Sequence, residues 1–235
     1  MNKTNWLNYW DKKNIWTESS LWKDNVQLFY NKTSNIFKYD KKSTVLDIGC
    51  GNGDFANKII RKVDKIFCVD TSQEYINICK IRFSNNKNVN VIKLNENYTD
   101  LSFIKNIKFS IIIANSVVQY YNSQKEILDL VKSVQKISNE NALFLISDIE
   151  ISAKKNSHLK LIYNSIINGY FFSLIKMSLK LAFNKEYSET IKKQAILTVN
   201  LDELVKDLSI FVKKVSIINE NITINVNRKH LLIQL

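Results

Sequence analysis

A chain of 235 residues with 45% hydrophobic side chains can bury a sizeable core and is too apolar to be disordered. Its net charge of +12, with 34 Lys and Arg against 22 Asp and Glu, suits an anionic partner: nucleic acid, a phosphorylated small molecule or a lipid surface. No run of eighteen uncharged apolar residues occurs, and the opening Met1-Asn2-Lys3-Thr4-Asn5-Trp6 carries no signal-peptide core, so a cytoplasmic protein is expected.

The first forty residues hold all four tryptophans, Trp6, Trp10, Trp16 and Trp22, and a helix is expected over 22–38. A strand over 43–48 follows, apolar and rich in β-branched residues. It runs into Asp47-x-Gly49-x-Gly51-x-Gly53, where three of the chain's four glycines fall within five residues. Glycine is needed where the backbone takes positive φ or where a ligand approaches bare main chain. From Phe55 the apolar spacing becomes helical, so the segment reads as strand, glycine turn, helix, the opening unit of a nucleotide-binding α/β domain. A second strand at 65–70 ends in Asp70, and a helix capped by Ser72 follows it. Strands are expected at 90–94 and 109–114, a one-faced amphipathic helix at 123–138, and a fifth strand at 142–148. Residues 154–195 read as an insertion of long helices, and a short helix at 201–208 precedes strands near 212–220 and 230–235. Cys50, Cys68 and Cys79 are odd in number and lack metal-ligand spacing, so buried reduced thiols are expected and no metal is.

Dinucleotide sites space their glycines as G-x-G-x-x-G, with a helix N-terminus under a pyrophosphate. Here the glycines alternate behind an Asp, which repels phosphate and suits a cation. The segment resembles the D-x-G-x-G-x-G motif of the class I S-adenosylmethionine (SAM) dependent methyltransferases, and Asp70 falls where that family holds the ribose. The resemblance covers most of 36–150 and 200–235. It implies an α/β, Rossmann-like fold: a seven-stranded, mostly parallel sheet with helices on both faces and an antiparallel C-terminal hairpin. It further implies one methyltransferase domain over 1–235, with an aromatic helical segment at 1–40 and a helical insertion at 151–195 after the fifth strand. SAM is then the cofactor and S-adenosylhomocysteine the product. Asp47 would receive the methionine ammonium, directly or through water. Gly49 and Cys50 would offer main-chain groups, while Gly51 and Gly53 allow close approach. Asp70 would hold the ribose, with Thr71 and Ser72 against the adenosine. Asn95, followed by Glu96, stands where the family meets the adenine amino group. Asn115 and Gln119 would lie beneath the methionine, with Tyr120 and Tyr121 open to a role as packing aromatics.

The acceptor is less legible. The DNA-amino methyltransferases carry an Asn/Asp-Pro-Pro-aromatic motif after the fourth strand. This chain has Asn115-Ser116-Val117-Val118 there and no proline at all, so nucleic acid is disfavoured as a substrate. Methyl transfer needs alignment first, and a base only where a proton must leave early. Asp148 and His158, at and beyond the end of the fifth strand, are the candidate catalytic residues, whereas His230 reads as structural.

Residues 151–195 hold eight lysines against two glutamates, interleaved with residues too apolar for a free surface. They cover the active site as a lid, a second subunit, or a membrane interface, and the lid is preferred, with the tryptophan-rich start as the opposite wall of the acceptor pocket. The arrangement is similar to methyltransferases of bacterial surface-polysaccharide pathways. That likeness implies O-methylation of a small anionic acceptor, a phosphorylated or nucleotide-linked saccharide precursor. A tRNA or rRNA methyltransferase and a non-catalytic SAM-binding regulatory protein are the alternatives.

Overall fold

The computed structural model describes residues 5–17, 19–95, 97–151 and 158–235. Seven strands form one sheet, β1 (Thr44–Ile48), β2 (Lys65–Asp70), β3 (Val89–Lys93), β4 (Phe109–Asn115), β5 (Ser138–Ile149), β6 (Lys214–Ile218) and β7 (Lys229–Gln234). Their order across the sheet is β3-β2-β1-β4-β5-β7-β6. The first five pair in parallel, and β7 runs antiparallel between β5 and β6. The expected Rossmann-like sheet with an antiparallel end is therefore present.

Burial on both faces explains the continuous apolar runs of β1, β2 and β4. On one face Leu46, Ile48, Val69, Ile112 and Phe144 pack against α5 (Gln124–Lys136) and α9 (Leu201–Leu208). On the other, Val45, Ile66, Cys68, Ile113 and Leu145 meet α2 (Ser20–Thr33), α3 (Asp54–Ile59) and α4 (Gln73–Arg82). The edge strands β3 and β6 are only partly buried, which is why their patterns are weaker in the sequence. All three cysteines are free and buried.

Several boundaries differ from the sequence expectation. The helix expected over 22–38 ends at Thr33, and Phe37 reaches the core from the following turns. β5 begins at Ser138, four residues early, because Ser138 already pairs with Phe109 and Asn141 turns the chain at φ +62°. The insertion forms three short helices rather than long ones: α6 (His158–Ile167), α7 (Phe171–Ala182) and α8 (Lys185–Lys193). Gly169, at φ +76°, makes the turn between α6 and α7. The short helix α1 (Asn5–Trp10) lies against α8.

Candidate active site

The strand order reverses between β1 and β4, and open α/β sheets bind ligands in the crevice beyond such a point. Here the two strands deliver the glycine loop and the stretch Asn115-Ser116-Val117 to the same edge. Gly49 sits at φ +69°, and a Cβ on it would lie 2.3 Å from Val117 Cγ2. Only glycine lets these two loops touch. Gly51, at φ +53°, has nothing within 4 Å of its missing Cβ, and its bare main chain borders the cavity. Gly53 instead serves helix packing: a Cβ there would lie 2.7 Å from the Phe83 ring.

The cavity encloses about 940 Å³, part of it open to solvent. Its floor is Ile48, Gly49, Gly51, Asn52, Asp70 and Thr71. Asp70 is buried, its Oδ2 accepting from the Gly51 N–H at 2.9 Å and its Oδ1 from the Ser72 N–H at 2.8 Å. Burial raises its carboxyl above the usual range, and these backbone donors pull it partly back. Each oxygen keeps a lone pair for a further donor, as a ribose diol requires.

Asp47 lies beneath the loop, 4% exposed, and its Oδ2 has no hydrogen-bond partner among the described residues. Burial, aided by the nearby Asp70 charge, pushes its carboxyl up to about 7. An orphaned buried carboxylate beside a second one is a site that a cation would stabilise. That property suits an ammonium-bearing ligand such as SAM.

Of the residues expected to hold cofactor, Gly49, Gly51, Asp70, Thr71 and Asn115 line the cavity. Cys50 and Gly53 do not: the first packs in the core and the second starts α3. Ser72 caps α4 by accepting from the Tyr75 N–H and stands behind the lining. Asn95 is exposed and is not among the lining residues, whereas Leu94 before it, just past the end of β3, does line the cavity. Glu96 lies outside the described residues. Gln119 is buried behind the 3-10 turn Val118–Tyr120, its Nε2 donating to the Ser116 carbonyl at 3.4 Å.

The expected catalytic pair separates. His158 opens α6 as an exposed residue away from the cavity. Asp148 sits directly behind the wall. Its Oδ2 accepts from Ser116 Oγ at 2.8 Å, its Oδ1 accepts from Thr223 Oγ1 at 3.2 Å, and its own N–H donates to His230 Nδ1 at 3.1 Å. The buried Arg228 lies 4.0 Å from Asp148 and pairs with Glu150 at 2.6 Å. Burial lowers His230 to about 4, which agrees with its structural reading.

The cover of the cavity comes from the tryptophan-rich start, the wall expected opposite the lid. Trp6, Trp10, Trp16 and Trp22 line it, facing Tyr75, Tyr98, Tyr120 and Tyr121. No described residue of the insertion lines it. The N-terminal segment is tied down by Asn52, whose Nδ2 donates to the Thr17 carbonyl at 3.3 Å, and by Asp11, which accepts from the Gln73 N–H at 2.6 Å. From the described part of the insertion α8 backs this wall, through Tyr187 against Trp6, Tyr9 and Trp16. α6 and α7 instead pack on α2, where Leu21 and Leu28 meet Tyr170 and Met177. Among the described residues no Lys or Arg lines the cavity, and Lys154 and Lys155 lie outside the described residues. Tyr75, Leu94, Tyr98 and Asn52 were missed as lining residues. Asn52, between two motif glycines, carried a usable signal, whereas Tyr98 carried none.

Fold and cavity together define a nucleotide-type α/β enzyme domain of the class I SAM-dependent methyltransferase kind. The chain belongs to the methyltransferase-domain family, whose model matches residues 39–198. Among curated proteins it is similar to a ribosomal RNA small subunit methyltransferase A from Mycoplasma capricolum, 22% identical over 179 residues, covering 75% of this chain and 66% of that one. Its fold is similar to that of the N-methyltransferase NodS from Bradyrhizobium japonicum, with a TM-score of 0.58 at 12% identity and coverage of 100% and 98%. It is also similar to the pyocyanin biosynthetic protein PhzM, with a TM-score of 0.57 at 10% identity over 88% of this chain. The chain spans 54% of PhzM and, at 66%, just under two thirds of the curated relative.

Proposed function

We propose that this protein transfers a methyl group from SAM to a small, uncharged acceptor seated between the N-terminal tryptophans and Tyr120–Tyr121. One observation carries this reading: the nucleoside-type floor of Gly49, Gly51, Asp70 and Thr71 is continuous with an aromatic compartment in which no described residue is Lys or Arg. When bound, SAM supplies an activated methyl carbon. Asp47 neutralises the cation, Asp70 holds the ribose diol, and Thr71 and Leu94 flank the adenosine. The tryptophan wall excludes water and orients the acceptor along the transfer axis.

A sugar hydroxyl is the acceptor we favour, because indole and phenol faces stack on the apolar faces of sugar rings. This retains the saccharide class of a surface-polysaccharide enzyme without its phosphate, for which no described residue of the lining offers a cation. Ser116 lines the cavity just beyond β4 and offers its Oγ to an incoming hydroxyl, with Asp148 orienting it through their 2.8 Å hydrogen bond. Tyr120 and Tyr121 stay neutral, since burial raises both phenols well above their ordinary value.

The curated relative's name supports an rRNA substrate as a second reading, and the net charge of +12 agrees with it. Calorimetric titration with SAM, followed by mass detection of methylated product across neutral sugars, phosphosugars and rRNA, separates the readings. Wild-type affinity in Asp70→Ala, where two hydrogen bonds to a charged acceptor worth roughly 1.5–3 kcal/mol should be lost, would overturn the cofactor assignment. Salt-sensitive rRNA binding with methylated RNA product would favour the second reading.

A further inference from the structure

We propose that α6 and α7 form a docking face for an anionic lipid surface, lying flat in its interfacial layer. Nine of the fourteen large hydrophobic side chains exposed among the described residues fall between Leu159 and Phe183. Phe172 and Phe183 are 84% and 83% exposed, and Leu159 is 82% exposed.

The pattern along each helix is two-sided. In α7, Tyr170, Leu174, Met177 and Leu181 face α2, whereas Phe172, Ile175, Leu179 and Phe183 share the opposite face. In α6, Leu161 faces inward, while Leu159, Ile162, Tyr163, Ile166 and Ile167 face out. The turn at Gly169 places the two helices side by side, so the two apolar stripes adjoin. A surface monomer does not ordinarily leave so many large apolar groups together in water.

Charge selects the occupant. Residues 151–183 contain five lysines and no Asp or Glu. Lys176 and Lys180, four residues apart, follow one edge of the α7 stripe and make no ion pair among the described residues. With Ser19, Ser20 and Met177 they frame a small cleft at that edge. A second copy of the chain across a twofold axis would set these lysines against the same face of its mate, a stretch of sequence that offers no acid to pair with them. An anionic bilayer offers what both parts of the face lack, an apolar layer beneath a sheet of negative headgroups. The helices have ten and twelve residues, and no described helix is long and apolar enough to cross a membrane, so the contact is interfacial.

The test is sedimentation of the full chain with vesicles of phosphatidylcholine, alone or with about 30% phosphatidylserine. Binding is expected only to the mixed vesicles and should fall with added salt. Lys176→Gln with Lys180→Gln should weaken it roughly thirtyfold, from two lysines near the surface. Phe172→Ser with Phe183→Ser should abolish it, while melting temperature and SAM affinity stay at wild-type values, since both side chains are exposed. Equal binding to neutral and anionic vesicles, no binding to either, or variants that bind like wild type would overturn the proposal. So would a wild-type dimer in sedimentation velocity that Phe172→Ser with Phe183→Ser converts to monomer, which would assign the face to a second copy. The SAM titration is scored separately, so failure here leaves the methyl-transfer reading standing.

Discussion

Ser116 follows β4 and Asp148 sits at the irregular end of the adjacent parallel β5, and both take the left-handed region, at φ +59° and +66°, with the Ser116 hydroxyl donating to the Asp148 carboxylate at 2.8 Å. Two non-glycine residues at positive φ side by side are uncommon, and such conformations persist where the surroundings determine them. Asp148 is therefore a positioning residue for the cavity wall. Asp148→Asn keeps a side chain that tolerates this conformation and can still accept from Ser116, so its melting temperature should stay close to wild type. Asp148→Ala should lose about 1–3 kcal/mol, because the Ser116 and Thr223 hydroxyls lose their acceptor. If Asp148 orients the acceptor through Ser116, turnover should fall further in Asp148→Ala than KM rises, with partial rescue in Asp148→Asn. Equal turnover in all three proteins would leave Asp148 a purely structural role.

Gly49 and Gly51 separate packing from ligand approach. Gly49→Ala places a methyl 2.3 Å from Val117 at positive φ, so the loop must shift and both stability and SAM affinity should fall. Gly51→Ala meets open space and carries only the left-handed penalty of roughly 1–2 kcal/mol. Its methyl would nevertheless stand at the cavity floor. Thermal unfolding paired with calorimetry should show affinity lost in both variants, with the larger fall in melting temperature for Gly49→Ala.

Asp47 predicts a pH dependence with a definite sign. Its pKa is raised from 3.8 to about 7 in the folded protein, mainly by burial. The fold thus favours the protonated acid, and this contribution is complete below pH 4 and lost as pH rises through 7. A cationic ligand favours the carboxylate instead. SAM affinity should accordingly rise between pH 5 and 7, with release of a proton that calorimetry in buffers of different ionisation enthalpy detects. His230, lowered to about 4, acts in the opposite sense on stability, so the comparison is wild type against Asp47→Asn at each pH. An affinity flat across that window, or an Asp47→Asn protein with the same proton release, would contradict the assignment.

The tryptophan wall should be separable from the cofactor floor. Trp10 packs edge-on against Tyr120 at 5.5 Å and lies 6.3 Å from Tyr75. Trp10→Ala should raise the acceptor KM about tenfold, in line with the 0.5–1.5 kcal/mol typical of an aromatic contact beyond area burial. SAM affinity should change much less. Trp6→Ala differs, because Trp6 is 1% exposed beneath Tyr9, Tyr120 and Tyr187, and its loss should cost about 3–5 kcal/mol of stability. Unfolding midpoints and steady-state kinetics on the two variants check this division.

What the sequence determined by itself was whatever depends on local backbone demands and period. Positive φ at Gly49, Gly51 and Gly53, the doubly buried runs of β1, β2 and β4, and the Ser72 cap are all written in neighbouring residues. That local information sufficed for the α/β class, the glycine floor and Asp70. The tertiary structure decided which surfaces meet across long chain separations. It set the tryptophans, and no described residue of the insertion, over the cavity, brought Leu94 and Tyr98 into the lining, and left Asn95 and His158 exposed and outside it. An apolar stripe on a helix states that something covers it but not what does. α2 covers one face of the α6–α7 pair, the opposite face is exposed, and composition is identical for a lid and for that arrangement.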